Sequence, residues 1–346
     1  MHPIPLPADE RVGLLRDWLA GLRTPYGLVP ETLSVASSDA SFRRYFRVDA
    51  SPSLGHSLIV MDAPPPQEDC SPFVHAAREF GLSGITVPRV IEADLDKGLL
   101  LLEDFGTVTY ASELNAATAP ALYGDALQAL VTLQKHTRAD AFPAYDRARL
   151  LTELELFPQW YVARHLNARL SEQEEQDLQG VFNLLIAAAR AQPQVAVHRD
   201  FHCRNLMVLP GSRNPGVLDF QDAVLGPITY DLVSLLRDAY LRWDEEQVLD
   251  WAIRYWERAR KAGLPVASDF AEFYRDFEWM GLQRHLKVLG IFARLYHRDG
   301  KDRYLADLPR VMQYVREAAS RYLAMTPLIR LLDRLEGRSP QVGHTF

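Results

Sequence analysis

The segment Val195 to Asp231 constrains this chain more than any other. It reads Val-Ala-Val-His-Arg-Asp-Phe-His-Cys-Arg-Asn-Leu-Met-Val-Leu, then a turn, then Gly-Val-Leu-Asp-Phe-Gln-Asp-Ala. Asp200 follows His198-Arg199, and Asn205 comes five residues after Asp200. Leu206 to Leu209 reads as a short buried strand, and Pro210 to Gly216 is a strong turn signal. Val217-Leu218 then pairs back and returns Asp219 beside Asn205. Such a hairpin offers two oxygen donors to one hard cation, which suits Mg²⁺. Taken singly, each acid is equally a turn residue or a helix cap; the set and its spacing carry the reading.

That layout matches the transfer of a phosphoryl group to a hydroxyl. Asp200 is the candidate catalytic residue, accepting the hydroxyl proton, while Asn205 and Asp219 are the candidate ligands of Mg²⁺. Asp200 and Asn205 share one loop, so a single turn aims both at the γ-phosphate of ATP.

Composition narrows the rest. With 346 residues the chain is long enough for two lobes, and 48% hydrophobic content supports a sizeable core. The net charge of −7 argues against a general nucleic-acid binder and suits a small-molecule enzyme. Cys70 and Cys203 lie far apart, which fits a reducing compartment rather than a disulfide framework. Met1 to Leu22 lacks a basic, then apolar, leader pattern, and no long apolar run suggests a membrane span. The expectation is a cytoplasmic monomer acting on a small molecule, with no nucleic-acid or membrane partner.

Along the chain, Asp9 caps a first helix with Val12, Leu15, Trp18, Leu19 and Leu22 on one face. Strands follow at Leu33–Ala36, Phe42–Val48, Ser57–Met61, Pro88–Glu92 and from Gly98 to Gly106, the last leading into a hinge, with a helix from Ser71 to Gly81. The turn Ser37-Ser38-Asp39-Ala40-Ser41 sits where a phosphate-covering loop belongs. Ser37, Ser38 and Ser41 are therefore candidate nucleotide contacts, although Asp39 would repel phosphate. Glu103-Asp104-Phe105-Gly106 reads as a hinge, with the backbone from Glu103 to Phe105 available to an adenine edge. After Tyr110 helices dominate, at 119–136, 150–166, 171–191, 230–241, 245–263, 268–298 and 305–335. Five strands with one helix, followed by helices, give an α+β, two-lobed architecture: a nucleotide-binding lobe over residues 1–104 with a five-stranded antiparallel sheet, and a catalytic, substrate-binding lobe over 105–346. The active cleft is expected between them.

On these motifs the chain resembles the aminoglycoside phosphotransferase family within the protein-kinase-like fold. It is more closely similar to the bacterial anomeric sugar kinases that phosphorylate N-acetylmuramate and N-acetylglucosamine at C1. The segments that carry the likeness are Ser41–Val48, Leu58–Pro64, Leu100–Gly106, Glu155–Tyr161, His198–Asn205 and Leu218–Ala223. The resemblance implies ATP-dependent formation of a sugar 1-phosphate in cell-wall recycling. Candidate substrate contacts are Glu153 and Glu155 for sugar hydroxyls, Trp160 or Tyr161 for the ring, and His202 and Arg204, with Arg284 and His285 as further choices for the lactyl carboxylate.

One departure stands out. Kinases of this fold carry a third-strand lysine paired with a helix glutamate, and Met61 occupies the matching position here. Strand alternation puts Arg44 on an apolar face, where a cation needs an anion. The expectation is that Arg44 partly replaces the lysine, with Glu79 as partner. Two alternatives stay open: another hydroxyl kinase of the same fold, acting on an aminoglycoside or choline, and a non-catalytic pseudokinase that the missing lysine favours.

Overall fold

The computed structural model describes residues 9–38 and 43–338. Ser41, Asp39 and Phe42 from the expected phosphate loop lie outside them. The chain divides into two compact units, Met1–Glu113 with Asn205–Asp222, and Leu114–Arg204 with Ala223–Phe346. This differs from a contiguous split at residue 104, because the hairpin after Asp200 joins the first unit. Cys70 and Cys203 are both buried and unpaired. Among the described residues, no helix is long and apolar enough to cross a membrane.

The first unit opens with α1 (Glu10–Gly21), whose N-cap Asp9 accepts from the Val12 amide, and α2 (Arg23–Tyr26). A five-stranded sheet follows: β1 (Val29–Ser38), β2 (Arg44–Asp49), β3 (Ser57–Asp62), β4 (Val90–Asp94) and β5 (Leu99–Glu103), in the order β1-β2-β3-β5-β4. Every neighbouring pair is antiparallel. β1 runs through Ser37 and Ser38, so these serines are strand residues paired with Tyr45 and Arg44 rather than part of the turn. Alternation assigns one sheet face to α1: Phe46, Val48, Leu58, Val60 and Leu101 pack on Val12, Leu15 and Leu19. Helix α3 (Ser71–Ser83) carries Pro72 in its first turn, where no amide is needed. The short α4 (Tyr110–Glu113) completes the contiguous part.

The second unit holds α5 (Ala119–His136), α6 (Arg147–Leu154), a π-helical segment (Phe157–His165) and α7 (Glu172–Ala191). The expected continuous helix 150–166 is therefore broken. Pro158 lacks an amide hydrogen and its ring obstructs the carbonyl four residues back, so α-helical bonding ends at Leu154. Strand β6 (Gln194–Val197) leads into the loop of Asp200. In the first unit, β7 (Leu206–Met207) and β8 (Gly216–Val217) form the hairpin ladder. β9 (Val224–Pro227) pairs antiparallel with β6.

Helix α8 (Tyr230–Leu236) stops earlier than the expected residue 241, because Arg237 leaves helical geometry. α9 (Glu245–Ala262) and the long α10 (Phe270–Asp299) follow. α10 is buried almost continuously from Met280 to Gly290. The expected helix 305–335 is two helices, α11 (Leu308–Ala319) and α12 (Thr326–Leu335), with Pro327 opening the second. Gly290 permits close approach: a β-carbon there would lie 2.4 Å from the backbone of Leu156, beside the π-helical segment.

Candidate active site

Asp200 belongs to the helical unit. The chain leaves β6 at His198, and the buried Asp231 of α8 accepts from the amides of His198 at 2.7 Å and Arg199 at 2.9 Å. Asp231 thus ties down the loop instead of capping its own helix, where Thr229 is the cap residue. Arg199 adopts a φ of 80°, a conformation costly for a residue with a β-carbon and sustained only by its surroundings. Those surroundings are visible. Arg284 donates to the Arg199 carbonyl at 2.9 Å. The Arg199 guanidinium pairs with Glu153. The amide of Asp200 donates to His198 Nδ1 at 3.2 Å, and the amide of Cys203 donates to Asp238 at 3.0 Å.

Cations surround the Asp200 carboxylate. Arg284 Nη2 lies 3.7 Å from its Oδ1, and the carboxylate keeps 39% exposure, enough to meet a substrate. Partial burial would raise its pKa, but Arg284, Lys287, His202 and Arg199 outweigh that and hold the carboxyl well below its usual range. Asp231 goes the other way. Burial pushes it up to about 7, against the pull of the two amides and Arg284.

Asn205 and Asp219 belong to the other unit. The amide of Leu218 donates to the Asn205 carbonyl at 2.9 Å, closing the hairpin as its length suggests. Asn205 Nδ2 lies 3.3 Å from Asp219 Oδ2, and Gln221 donates to Asp219 Oδ1 at 2.8 Å. Asp219 has a φ of 63°, left-handed geometry that turns its carboxylate toward Asn205. One carboxylate and one amide side chain within contact fit a magnesium ion, which takes few protein ligands and completes its shell with phosphate and water. The Asn205 amide would turn its oxygen to the cation, a rotation that costs little. No group of three or more His, Cys, Asp or Glu side chains suited to a metal occurs among the described residues.

The other expected residues separate by environment. Glu153 is not an open hydroxyl acceptor: it pairs with Arg199 and, at 3.2 Å, with Lys287, and takes a hydrogen bond from Tyr145. Lys287 and Arg199 overcome burial to keep it ionised. Tyr161 is buried and stacks between Phe157 and His165, each 5.6 Å away, so it packs rather than presenting a ring. Glu155 and Trp160 are half-buried. His202 is buried edge-on to Tyr240, and its Nδ1 has no hydrogen-bond partner among the described residues. Arg204 is exposed, stacks over Tyr240 at 3.5 Å and has no ion pair among the described residues. His285 is buried, with Nε2 2.9 Å from the Arg237 carbonyl, a packing role.

In the first unit, Arg44 is bound to Asp62 and Asp9, not to Glu79. The Glu103 carboxylate pairs with Arg89 and Arg213, and its amide donates to the Arg89 carbonyl at 2.9 Å, so that amide is already used. Phe105 is buried against Gly216, where a β-carbon would come within 2.6 Å of its ring. Lys287 and Asp238 escaped the sequence reading. The available signal was a charged residue within the apolar run of α10, and an acid just past the end of α8.

Comparisons with known proteins place the chain in a family. The profile of the phosphotransferase enzyme family matches residues 32–265. An N-acetylmuramate/N-acetylglucosamine kinase of Neisseria meningitidis serogroup B is 48% identical over 337 residues, covering 96% of this chain and 98% of that protein. A protein of the same name from Pseudomonas aeruginosa is 49% identical over 306 residues, covering 88% of this chain and 89% of its own. Among solved structures, a choline/ethanolamine kinase family protein from Mesorhizobium loti superposes with a TM-score of 0.61 at 16% identity, covering 94% of this chain and 99% of that one. The gentamicin complex of APH(2")-IIa superposes with a TM-score of 0.57 at 16% identity, covering 90% and 97%. These likenesses show a protein-kinase-like fold, and the profile and the close relatives show that the chain belongs to the phosphotransferase enzyme family.

Proposed function

We propose that this protein is an ATP-dependent sugar kinase that phosphorylates N-acetylmuramate and N-acetylglucosamine at C1. The observation that carries the catalytic part is Asp200, an accessible carboxylate kept ionised by Arg284 and its neighbours. The sugars come from the names of relatives that match nearly the whole chain. Position C1 rests on the resemblance of the motifs, and its product suits salvage of cell-wall sugars in the cytoplasm.

In the reaction, the sugar's anomeric oxygen forms a bond to the γ-phosphorus of ATP, the bond from that phosphorus to the β–γ bridging oxygen breaks, and ADP leaves. The hydroxyl proton passes to Asp200. A carboxylate of low pKa is a weak base, but an anomeric hydroxyl is more acidic than an ordinary alcohol. In a loose transition state the base mainly orients the nucleophile and accepts its proton late. Mg²⁺ held by Asn205 and Asp219 would neutralise charge on the β- and γ-phosphates. Arg204 binds the lactyl carboxylate: its guanidinium is exposed, stacked on Tyr240 and, among the described residues, not paired with an acid. Trp160 and Glu155 remain the proposed ring and hydroxyl contacts, and His202 offers its unpartnered Nδ1.

The test is ³¹P NMR of the protein with ATP, Mg²⁺ and either sugar, with Asp200→Asn as control. A sugar 1-phosphate resonance that vanishes in the variant supports the reading. Turnover of aminoglycosides or choline instead of either sugar would reassign the substrate. ATP binding without turnover of any acceptor would point to a pseudokinase.

A further inference from the structure

Met61 sits where this fold usually has its phosphate-binding lysine, yet a kinase still needs a cation there. Strand register identifies a replacement. β2 and β3 pair with Tyr45 opposite Met61, so the two share a sheet face. Arg43 immediately precedes β2, and extending the alternation by one residue puts it on that same side, whereas Phe46 and Val48 face α1 with Arg44. Arg44 is used up on the α1 side: it bonds the N-cap Asp9 and the fully buried Asp62, which Arg11 also holds.

Arg43 has a different setting. Its Nε donates to Glu68 Oε2 at 3.1 Å, and both side chains are largely buried, at 15% and 14% exposure. Glu68 lies just ahead of α3, and Asp69 accepts from the Ser71 amide at 2.8 Å to fix that entry. The body of α3 grips the metal-ligand segment from the other end. Phe73 and Phe80 meet Phe220, the residue after Asp219, at centroid distances of 4.8 and 6.1 Å. Arg43 also interacts electrostatically with Asp219 itself. The segment leading into α3 therefore supplies the glutamate that aims Arg43, and α3 itself packs on Phe220 beside the proposed metal ligand. That is the task a lysine–glutamate pair performs in kinases, carried out here with the cation moved from the third strand to the start of the second.

We propose that Arg43, positioned by Glu68, binds the β-phosphate side of the nucleotide in place of the missing third-strand lysine. The proposal rests on the kinase reading above. A guanidinium suits the position because its planar fork of several N–H donors can bond a carboxylate and a phosphate together, which a lysine does less well.

The test compares Arg43→Ala, Arg43→Lys, Glu68→Gln and Lys97→Met in the full chain, by calorimetric titration with Mg·ADP, Mg·ATP analogue and AMP, and by steady-state KM for ATP and sugar. Arg43→Ala is expected to weaken ADP and ATP-analogue binding roughly 10- to 100-fold, as for loss of a charged hydrogen-bonding group. AMP affinity and the sugar KM should stay within about twofold, and Arg43→Lys should recover part of the loss. Glu68→Gln should reproduce a smaller loss in the same direction. Lys97→Met should behave as the unaltered protein, since Lys97 is paired with Asp94 at 2.7 Å. Equal affinity for ADP in the unaltered and both Arg43 proteins overturns the proposal, as does an equal loss for AMP and ADP. Failure of the unaltered protein to bind any of the nucleotides overturns the kinase reading itself, and the proposal with it.

Discussion

The loop around Asp200 is held by bonds that span 32 to 85 positions, to Asp231, Asp238 and Arg284. The hairpin around Asp219 holds its functional side chains with one another: Asn205, Asp219 and Gln221 are bonded across at most 14 positions. The two regions also differ electrically. Asp200 lies among Arg284, Lys287 and Arg199, while Asp219 has an amide on each oxygen. The proposed base and the proposed metal ligand need these different settings. The base must stay ionised and aimed while its substrate arrives, so it is surrounded by fixed cations. The metal ligand must surrender its neighbours to the cation, so neutral amides that rotate away cheaply suit it better.

The largest effect expected is at the base. Asp200→Asn should lower kcat by roughly 10³- to 10⁴-fold, with little change in ATP affinity, as judged by steady-state kinetics. A loss of less than tenfold would make the cationic setting irrelevant to catalysis. Next comes the hairpin: Asp219→Asn should cost about 10²- to 10³-fold in kcat/KM, partly recovered at high Mg²⁺. Magnesium titration checks this, since a loss that does not respond to the ion would move the ligand role elsewhere.

Structure behind the base gives the third test. Glu153→Gln leaves Arg199 and Lys287 without their shared carboxylate and should destabilise the protein by about 3 kcal/mol in denaturant unfolding. The same measurement on Asp219→Asn should show far less, because the side chains seen bonded to it, Asn205 and Gln221, are neutral amides. A smaller difference comes from pH. The folded pKa of Asp231, raised to about 7, means the folded state binds more protons than the unfolded state between its ordinary value near 3.8 and 7. Its contribution to stability therefore falls as pH rises through that window, by at most ~1.4 kcal/mol per unit. Asp231→Asn should flatten that stretch of the profile. The depressed Asp200 acts with the opposite sign, losing stability as pH falls below about 4, so the two windows separate. The least effect is at Arg204, where Arg204→Met should raise the KM for N-acetylmuramate about tenfold and spare N-acetylglucosamine.

Much of this molecule could be read before any fold was seen, and the reason is distance along the chain. The strand and helix sequence, the hairpin that joins Asn205 to Asp219, and the spacing of the three candidate catalytic residues all depend on neighbours within one turn or one ladder. Such patterns are written in spacing and turn residues. Breaks at Pro158 and Pro327 were equally local and show that a proline outranks an apolar stripe.

What only the tertiary structure decided is the partnering of charges. Whether Arg44 meets Glu79 or Asp62, whether Glu153 faces a sugar or Lys287, and whether Asp231 caps its own helix or the amides of His198 and Arg199 depend on packing of distant segments. A buried charge takes whichever opposite group the fold brings to it, since leaving it alone is costly. Local spacing carries the identity of the candidate reacting groups; the packing of distant segments chooses which of the surrounding ions hold them still.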